Sequence, residues 1–286
     1  MPRLLIAGCG YLGQAVADLF VAANWDVEGW TVSPESARQL SARSYRVNAV
    51  DISEPKQVTA RTGNFDLILH CASTRGGDVD SYRRVYLDGA RNLLEQFPGS
   101  RMIFTSSTSV YAQTNGEWVT EESAAEPKIE TGKILRQAEE LVLAKRGIVV
   151  RLGGIYGPGR SALLKKFLNN EAALDLGSDR FVNAIHRDDA AAAIQSLSER
   201  NESAGQIYNI VDNEPILQSE CYRWLAARLN RPLPPTERST SKRKRGENSK
   251  RVSNAKLRSV GWALRYPNFA AGMEESVLSS FALGDA

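Results

Sequence analysis

Charge of one sign is scarce in this chain, and so are the residues that build disulfide frameworks and metal sites. Across 286 residues, 36 Lys and Arg nearly balance 33 Asp and Glu, leaving a net charge of +3. That surplus is too small to draw the protein onto nucleic acid or an anionic membrane, so neither is expected as a partner. The local exception is Lys242-Arg243-Lys244-Arg245. It reads as a solvated loop between Thr240 and Asn248, because no aromatic residue interleaves with the charges. The three cysteines, Cys9, Cys71 and Cys221, are odd in number and far apart. They form neither a disulfide framework nor a metal-ligand spacing, so no metal is expected and a reducing cytoplasm is the natural compartment. No apolar run approaches the about 18 residues of a membrane span. The first apolar run is short and ends in glycines, unlike the core of a signal peptide. What is present is ordinary for a globular chain, 42% hydrophobic and 24% charged. Its length allows one large core, or a core with a smaller lobe.

The most informative segment is the first. Arg3-Leu4-Leu5-Ile6-Ala7 runs into Gly8-Cys9-Gly10-Tyr11-Leu12-Gly13 and then a helical stretch, Gln14 to Ala23. Strand, glycine turn and helix in that order form a dinucleotide-binding fingerprint. Gly8 permits the tight turn, Gly10 lets backbone approach a pyrophosphate, and Gly13 lets helix and strand pack closely. The helix start at Tyr11 and Leu12 offers N–H groups and a positive dipole to the phosphates. The end of the second strand bears on NADP or NAD, because an acid there bonds the ribose diol and repels a 2′-phosphate. Thr31, Val32 and Ser33 occupy that place. Glu28, three residues earlier, points to the opposite strand face. With hydroxyls at Thr31 and Ser33 and Arg38 one turn on, the sequence leans to NADP.

Strand candidates recur at Leu4–Ala7, Val27–Thr31, Arg46–Val50, Leu67–His70, Met102–Thr105 and Ile148–Leu152. Helical runs lie between them at 14–23, 34–42, 55–60, 82–96 and 133–145. That alternation implies right-handed βαβ crossovers and hence an α/β fold: a doubly wound parallel sheet of the Rossmann kind, with ligand at the carboxyl ends of its strands. After Gly153 the pattern loosens. Gly157-Pro158-Gly159 breaks the chain, and a helix at 161–169, a strand at 181–185, a helix at 188–197, a strand at 206–211 and a helix at 218–229 follow. Pro232, Pro234 and Pro235 then open an irregular stretch to about Asn248. The expected division is a dinucleotide-binding domain over 1–153, with 181–211 returning to it, and a smaller C-terminal substrate lobe from 154–180 and 212–286.

Four segments together resemble the extended and atypical short-chain dehydrogenase/reductase superfamily, in its NAD-dependent epimerase/dehydratase group. The glycine turn is one. The others are Phe104-Thr105-Ser106-Ser107-Thr108-Ser109-Val110-Tyr111, Arg151-Leu152-Gly153-Gly154-Ile155-Tyr156-Gly157-Pro158-Gly159, and Ile185-His186-Arg187-Asp188-Asp189. The resemblance implies that Asp51 and Ile52 lie against the adenine, although Asp51 also suits a helix cap. It implies that Cys71, Ala72 and Ser73 line the ribose and pyrophosphate. Asp88-Gly89-Ala90-Arg91-Asn92 looks like the helix backing that site, with Tyr86 where the family usually has asparagine. Members often dimerise through the helices flanking strand five, here about 82–96 and 133–145. The stripe Ile134, Ala138, Leu141, Val142 and Lys145 suits either a core or such a homodimer.

The family's proton chemistry uses a tyrosine and a lysine four residues later, and that pair is absent. Aligned on Glu139, the tyrosine place holds Thr131 and the lysine place Leu135. Lys133 and Arg136 are displaced by two residues and one, roughly 200° and 100° around the helix. Ser107 stands where the family keeps its hydroxyl, unless it merely caps a strand end. Tyr111 is the nearby phenol, a proton donor, a lid over the nicotinamide, or loop packing. His186 fits a structural hydrogen bond better than a general base, and Asp188 and Asp189 fit helix N-caps. Ser107, Tyr111 and Thr131 are therefore the catalytic candidates. Two readings stay open. One is an NAD(P)-dependent oxidoreductase or epimerase/dehydratase-like enzyme with a degenerate dyad, acting on a small molecule such as a sugar or nucleotide sugar. The other is a non-catalytic NAD(P)-binding sensor or partner-binding module.

Overall fold

The computed structural model describes residues 1–74, 76–175, 179–236 and 249–281. Its centre is a seven-stranded parallel sheet built from β1 (Arg3–Ala7), β2 (Asp26–Thr31), β3 (Arg46–Ala49), β4 (Leu67–His70), β5 (Arg101–Ser107), β6 (Ile148–Leu152) and β7 (Ile207–Ile210), in the order β7-β6-β5-β4-β1-β2-β3. The chain leaves β1 toward β3 on one side, then crosses back to β4 and proceeds outward on the other. The switch falls between β1 and β4, where Ala7 pairs with Trp30 on one side and His70 on the other. A crevice at the carboxyl ends of those two strands is where such a sheet binds ligand. Leu4, Leu5, Ile6 and Ala7 are all fully buried, the continuous apolar run of a strand covered on both faces. The helix Tyr11–Ala22 turns Leu12, Val16, Ala17 and Phe20 inward at helical spacing,.

The chain divides into two compact units. One comprises Met1–Val110, Ala125–Arg151 and Ala191–Tyr208; the other comprises Tyr111–Ala124, Leu152–Ala190 and Asn209–Ala286. Residues 181–190, read from sequence as returning to the first domain, thus lie in the second unit. The second unit has its own core, centred on Tyr156, Leu164, Phe167, Tyr222, Leu225 and Met273. Around it run short strand pairs: Gly154–Tyr156 with Ala184–His186, Phe181–Val182 with Ile216–Leu217, and Trp118–Val119 with Arg251–Val252. The single strand expected over 181–185 is therefore two. Asn183 breaks it, because its amide donates to the Lys250 carbonyl at 2.9 Å and accepts from Val252 N at 2.7 Å, while its own carbonyl takes Gly154 N at 2.7 Å.

The helix-cap expectation needs correction. Asp189 caps no helix; its carboxylate accepts Arg265 N at 2.7 Å and Tyr266 N at 3.0 Å, fastening a distant loop of the same unit. Asp188 accepts from Arg187 Nε at 2.8 Å. Of the stripe on the helix Glu130–Ala144, read as either core or homodimer contact, Ile134, Ala138 and Val142 are buried within the chain and Leu141 is half-buried. The basic run 242–245 lies outside the described residues.

Candidate dinucleotide site

Gly8 leaves β1 at φ +106°, and a Cβ there would lie 2.2 Å from the backbone nitrogen of Ala72. Only glycine permits both that conformation and that approach. The turn is pinned by Gly8 N and Cys9 N, which donate to the Trp30 carbonyl at 3.0 and 2.8 Å. Cys71 N donates to the Ala7 carbonyl at 2.8 Å, and its thiol to the Gly8 carbonyl at 3.1 Å. Burial pushes that thiol's pKa up, so it stays protonated and serves the fold. At Gly13 a Cβ would stand 2.6 Å from the Gly8 carbonyl and 3.3 Å from Cys71 Sγ.

Gly10 differs. A Cβ there would meet nothing closer than 4.0 Å, so the face it would fill is open. Tyr11 and Leu12 follow in the first helical turn, which has no acidic residue and no side-chain cap at Gly10. An open backbone face leading into an uncapped helix start can hold a diphosphate. The structure thus brings Gly8, Gly10, Tyr11, Leu12, Gly13, Cys71 and Ala72 together.

The other cofactor candidates ring the same strand ends. Thr31 Oγ1 donates to the Ser33 carbonyl at 3.2 Å, and Ser33 Oγ caps the helix Pro34–Gln39 by accepting Ser36 N at 3.2 Å. Asp51 Oδ1 accepts Ser53 N at 2.9 Å and Ser53 Oγ at 2.7 Å, a local turn that leaves its second oxygen for a ligand,. Ile52 is buried against Gly89: a Cβ there would fall 2.8 Å from Ile52 Cδ1. Ser73 is exposed and accepts the Tyr86 hydroxyl at 3.4 Å. Tyr86 packs on Tyr82, ring centroids 4.9 Å apart, and lies in a π-helical turn, Arg83–Asp88.

The catalytic candidates are not alike. Ser107 ends β5, partly exposed, its Oγ accepting Ser109 N at 3.1 Å. Thr131 is partly exposed in the first turn of the helix Glu130–Ala144. Leu135, expected at the lysine place, is 3% exposed and part of the core. The two neighbouring cations are both in ion pairs: Lys133 with Glu130 at 2.6 Å, and Arg136 with Glu139 and Glu140. Of the roles open to Tyr111, its surroundings fit packing. Its side chain is fully buried and its hydroxyl donates to Asn209 Oδ1 at 2.9 Å. His186 is also structural: Nδ1 accepts Asp188 N at 3.2 Å, so Nε2 carries the hydrogen toward Ser276 Oγ at 3.0 Å.

One group escaped the sequence reading. Lys250 is 6% exposed, its ammonium donating to the Tyr111 carbonyl at 3.0 Å, and burial lowers its pKa to about 8. It belongs to Ser249–Asn254, a strap of the second unit whose polar atoms bond Gln113, Gly116, Glu117, Asn183 and Val211. No hydrophobic period marks such a strap.

Comparison with known proteins agrees with this geometry. The model of the NAD dependent epimerase/dehydratase family matches residues 4–210. The chain belongs to that family. Protein YeeZ of Escherichia coli (strain K12) is 28% identical over 281 residues, covering 94% of this chain and 97% of that protein. A Methylobacillus flagellatus structure, provisionally assigned as an NAD-dependent epimerase/dehydratase, is 29% identical with a TM-score of 0.77, covering 96% of both chains. MoeE5, solved with UDP-glucuronic acid and NAD, shares the fold at 17% identity, with a TM-score of 0.81 over 96% of this chain and 97% of its own. Among the described residues no helix is long and apolar enough to cross a membrane, and no cluster of His, Cys, Asp or Glu could hold a metal ion.

Proposed function

We propose that this chain binds a nicotinamide dinucleotide on the glycine turn and acts as an oxidoreductase of the epimerase/dehydratase kind on a small polar molecule. A sugar or nucleotide sugar is the substrate class, supported by the ligands of MoeE5. The observation that carries the reading is the open face at Gly10, beside a turn that Gly8 and Gly13 make too tight for any side chain. Gly10, Tyr11 and Leu12 would hold the diphosphate, Cys71 and Ala72 the adjoining ribose, and Asp51 with Ile52 the adenine. When bound, the nicotinamide supplies hydride chemistry. The chain's own contribution is orientation: Ser107 offers a hydroxyl to a substrate oxygen, and Thr131 a second.

With leucine at the lysine place, no ammonium from the helix Glu130–Ala144 lowers a phenol's pKa or holds the nicotinamide ribose. That observation favours the second reading, a dinucleotide-binding sensor without turnover. Calorimetric titration with NADH and NADPH, followed by single-turnover fluorescence against a panel of sugars and carbonyl compounds, separates the readings. Uptake of a dinucleotide with oxidation that Ser107→Ala abolishes supports the enzyme. Uptake without oxidation by any compound supports the sensor, and uptake of neither dinucleotide overturns both.

A further inference from the structure

The helix that follows β4 brings a phenol to the strand ends. It starts at Val79, widens into the π turn Arg83–Asp88 and continues as Gly89–Gln96. Gly89 lets it close on the sheet, since a Cβ there would also fall 3.4 Å from His70 Nε2. Inside the wide turn the Val85 carbonyl bonds Nε2 of the fully buried His70 at 3.0 Å. That bond fixes the residue that follows. The Tyr86 ring lies parallel to His70 with centroids 6.5 Å apart, and edge-on to Phe104 at 6.4 Å. Turns of the π type are rare and recur at functional sites.

His70 and Phe104 are register partners on β4 and β5. Three residues beyond each stand Ser73 and Ser107. The Tyr86 hydroxyl donates to Ser73 Oγ at 3.4 Å, and the side chain is partly exposed. Ser73 adjoins Ala72, whose backbone excludes a side chain from Gly8. One hydrogen bond therefore ties this phenol to the loop that packs on the glycine turn. It stands at the carboxyl ends of β4 and β5, and Ser107 is the last residue of β5.

We propose that Tyr86 is a catalytic proton donor to a substrate carbonyl oxygen. The inference rests on the enzyme reading above. The helix Glu130–Ala144 offers Thr131 and Leu135 where a tyrosine and a lysine are expected, so the phenol has to come from elsewhere. Unlike the asparagine expected at its place, Tyr86 can give up a proton. As the carbonyl carbon takes hydride from the reduced dinucleotide, its oxygen takes the hydrogen of Tyr86 Oη. The C=O bond becomes H–C–O–H, and the phenolate regains a proton from water through the exposed Ser73 hydroxyl. Alcohol oxidation runs the same proton outward.

The test pairs single-turnover oxidation of bound NADH or NADPH by the sugar and carbonyl panel with an NMR readout that needs no turnover. Tyr86→Phe should slow oxidation about 100-fold or more, while dinucleotide affinity holds within about twofold and the melting temperature is unchanged. Tyr82→Phe keeps the ring that packs on Tyr86 and should leave the rate within about threefold. In protein labelled with carbon-13 at tyrosine Cζ, the resonance that Tyr86→Phe removes should shift when the dinucleotide binds. A wild-type rate in Tyr86→Phe, a slowing that resides in Tyr82, or a Tyr86 resonance left unmoved would each overturn the inference and leave dinucleotide binding intact. Uptake without oxidation by any compound would overturn it together with the enzyme reading. Uptake of neither dinucleotide would overturn the site beneath both.

Discussion

Glu139 and Arg151 form a buried ion pair in the first unit. Arg151 Nη2 lies 2.7 Å from Oε2, Nε lies 3.1 Å from Oε1, and neither side chain is more than 2% exposed. Ser106 Oγ adds a bond to Oε1 at 2.5 Å, and Arg136 reaches Oε2. One carboxylate thus joins the helix Glu130–Ala144 to the Ser-rich end of β5 and the Arg151 segment, two of the stretches by which the family resemblance is seen. Those motif residues hold the sheet to its helix and need not touch a ligand.

Removing one member takes from the other buried charge its fully buried counter-charge. Glu139→Gln or Arg151→Met should cost about 3–5 kcal/mol of stability, and Glu139→Gln with Arg151→Met together much less than the sum. Denaturant unfolding of the three variants measures this. A double variant as damaged as the sum of its parts would show that the two side chains act independently.

Gly10 and Gly8 separate binding from folding. Gly8→Ala drives a Cβ into the Ala72 backbone at 2.2 Å and should destabilise the chain by several kcal/mol or prevent folding. Gly10→Ala has open space at φ −98° and should change stability by no more than about 1 kcal/mol. It should still reduce dinucleotide affinity by about tenfold or more, because the new methyl occupies the phosphate's place. Calorimetry beside thermal melts reads both quantities. A Gly10→Ala protein that binds as wild type would remove the diphosphate from this turn.

The parallel sheet was legible because β1, β4, β5 and β6 are buried, largely apolar runs, and burial on both faces leaves that pattern in the sequence. The glycine turn was legible because Gly8 and Gly13 answer local steric demands. The burial of Tyr111 was not legible for a physical reason: a phenol four residues past Ser107 looks poised for chemistry, yet its partner, Asn209, is 98 residues away along the chain. Lys250 was invisible for the same cause, since what buries its ammonium is the carbonyl of a residue 139 positions earlier. Long-range polar bonds have no period and no composition, so they appear only once the chain is folded.

The chain's two histidines are both fully buried and both neutral. Burial lowers each to about 4. His70 gives Nε2 to the Val85 carbonyl at 3.0 Å. Since the unfolded chain takes up these protons first, stability contributed by the neutral rings is full above pH ~6.5 and lost as pH falls toward ~4. Imidazole resonances in NMR should show no titration between pH 8 and pH 5. A midpoint near 6.5 for either ring would mean that it is solvated rather than packed.

Lys250 makes the opposite demand at alkaline pH. No carboxylate pairs with it among the described residues, and burial of its ammonium lowers the pKa from 10.5 to about 8, the charge of Arg180 adding to the effect. The unfolded chain therefore holds this proton more tightly than the folded one. Its cost to stability is full below pH ~8 and fades as pH rises toward ~10.5, an effect of the order of 3 kcal/mol. Methionine has nearly the same length without the charge, so Lys250→Met should melt at or above the wild-type temperature at pH 7, and that advantage should vanish by about pH 10. Paired melts across this range decide it. A variant less stable than wild type by about 2 kcal/mol at pH 7 would mean that the bond to the Tyr111 carbonyl outweighs the desolvation of the ammonium, and that Lys250 is there to hold the strap.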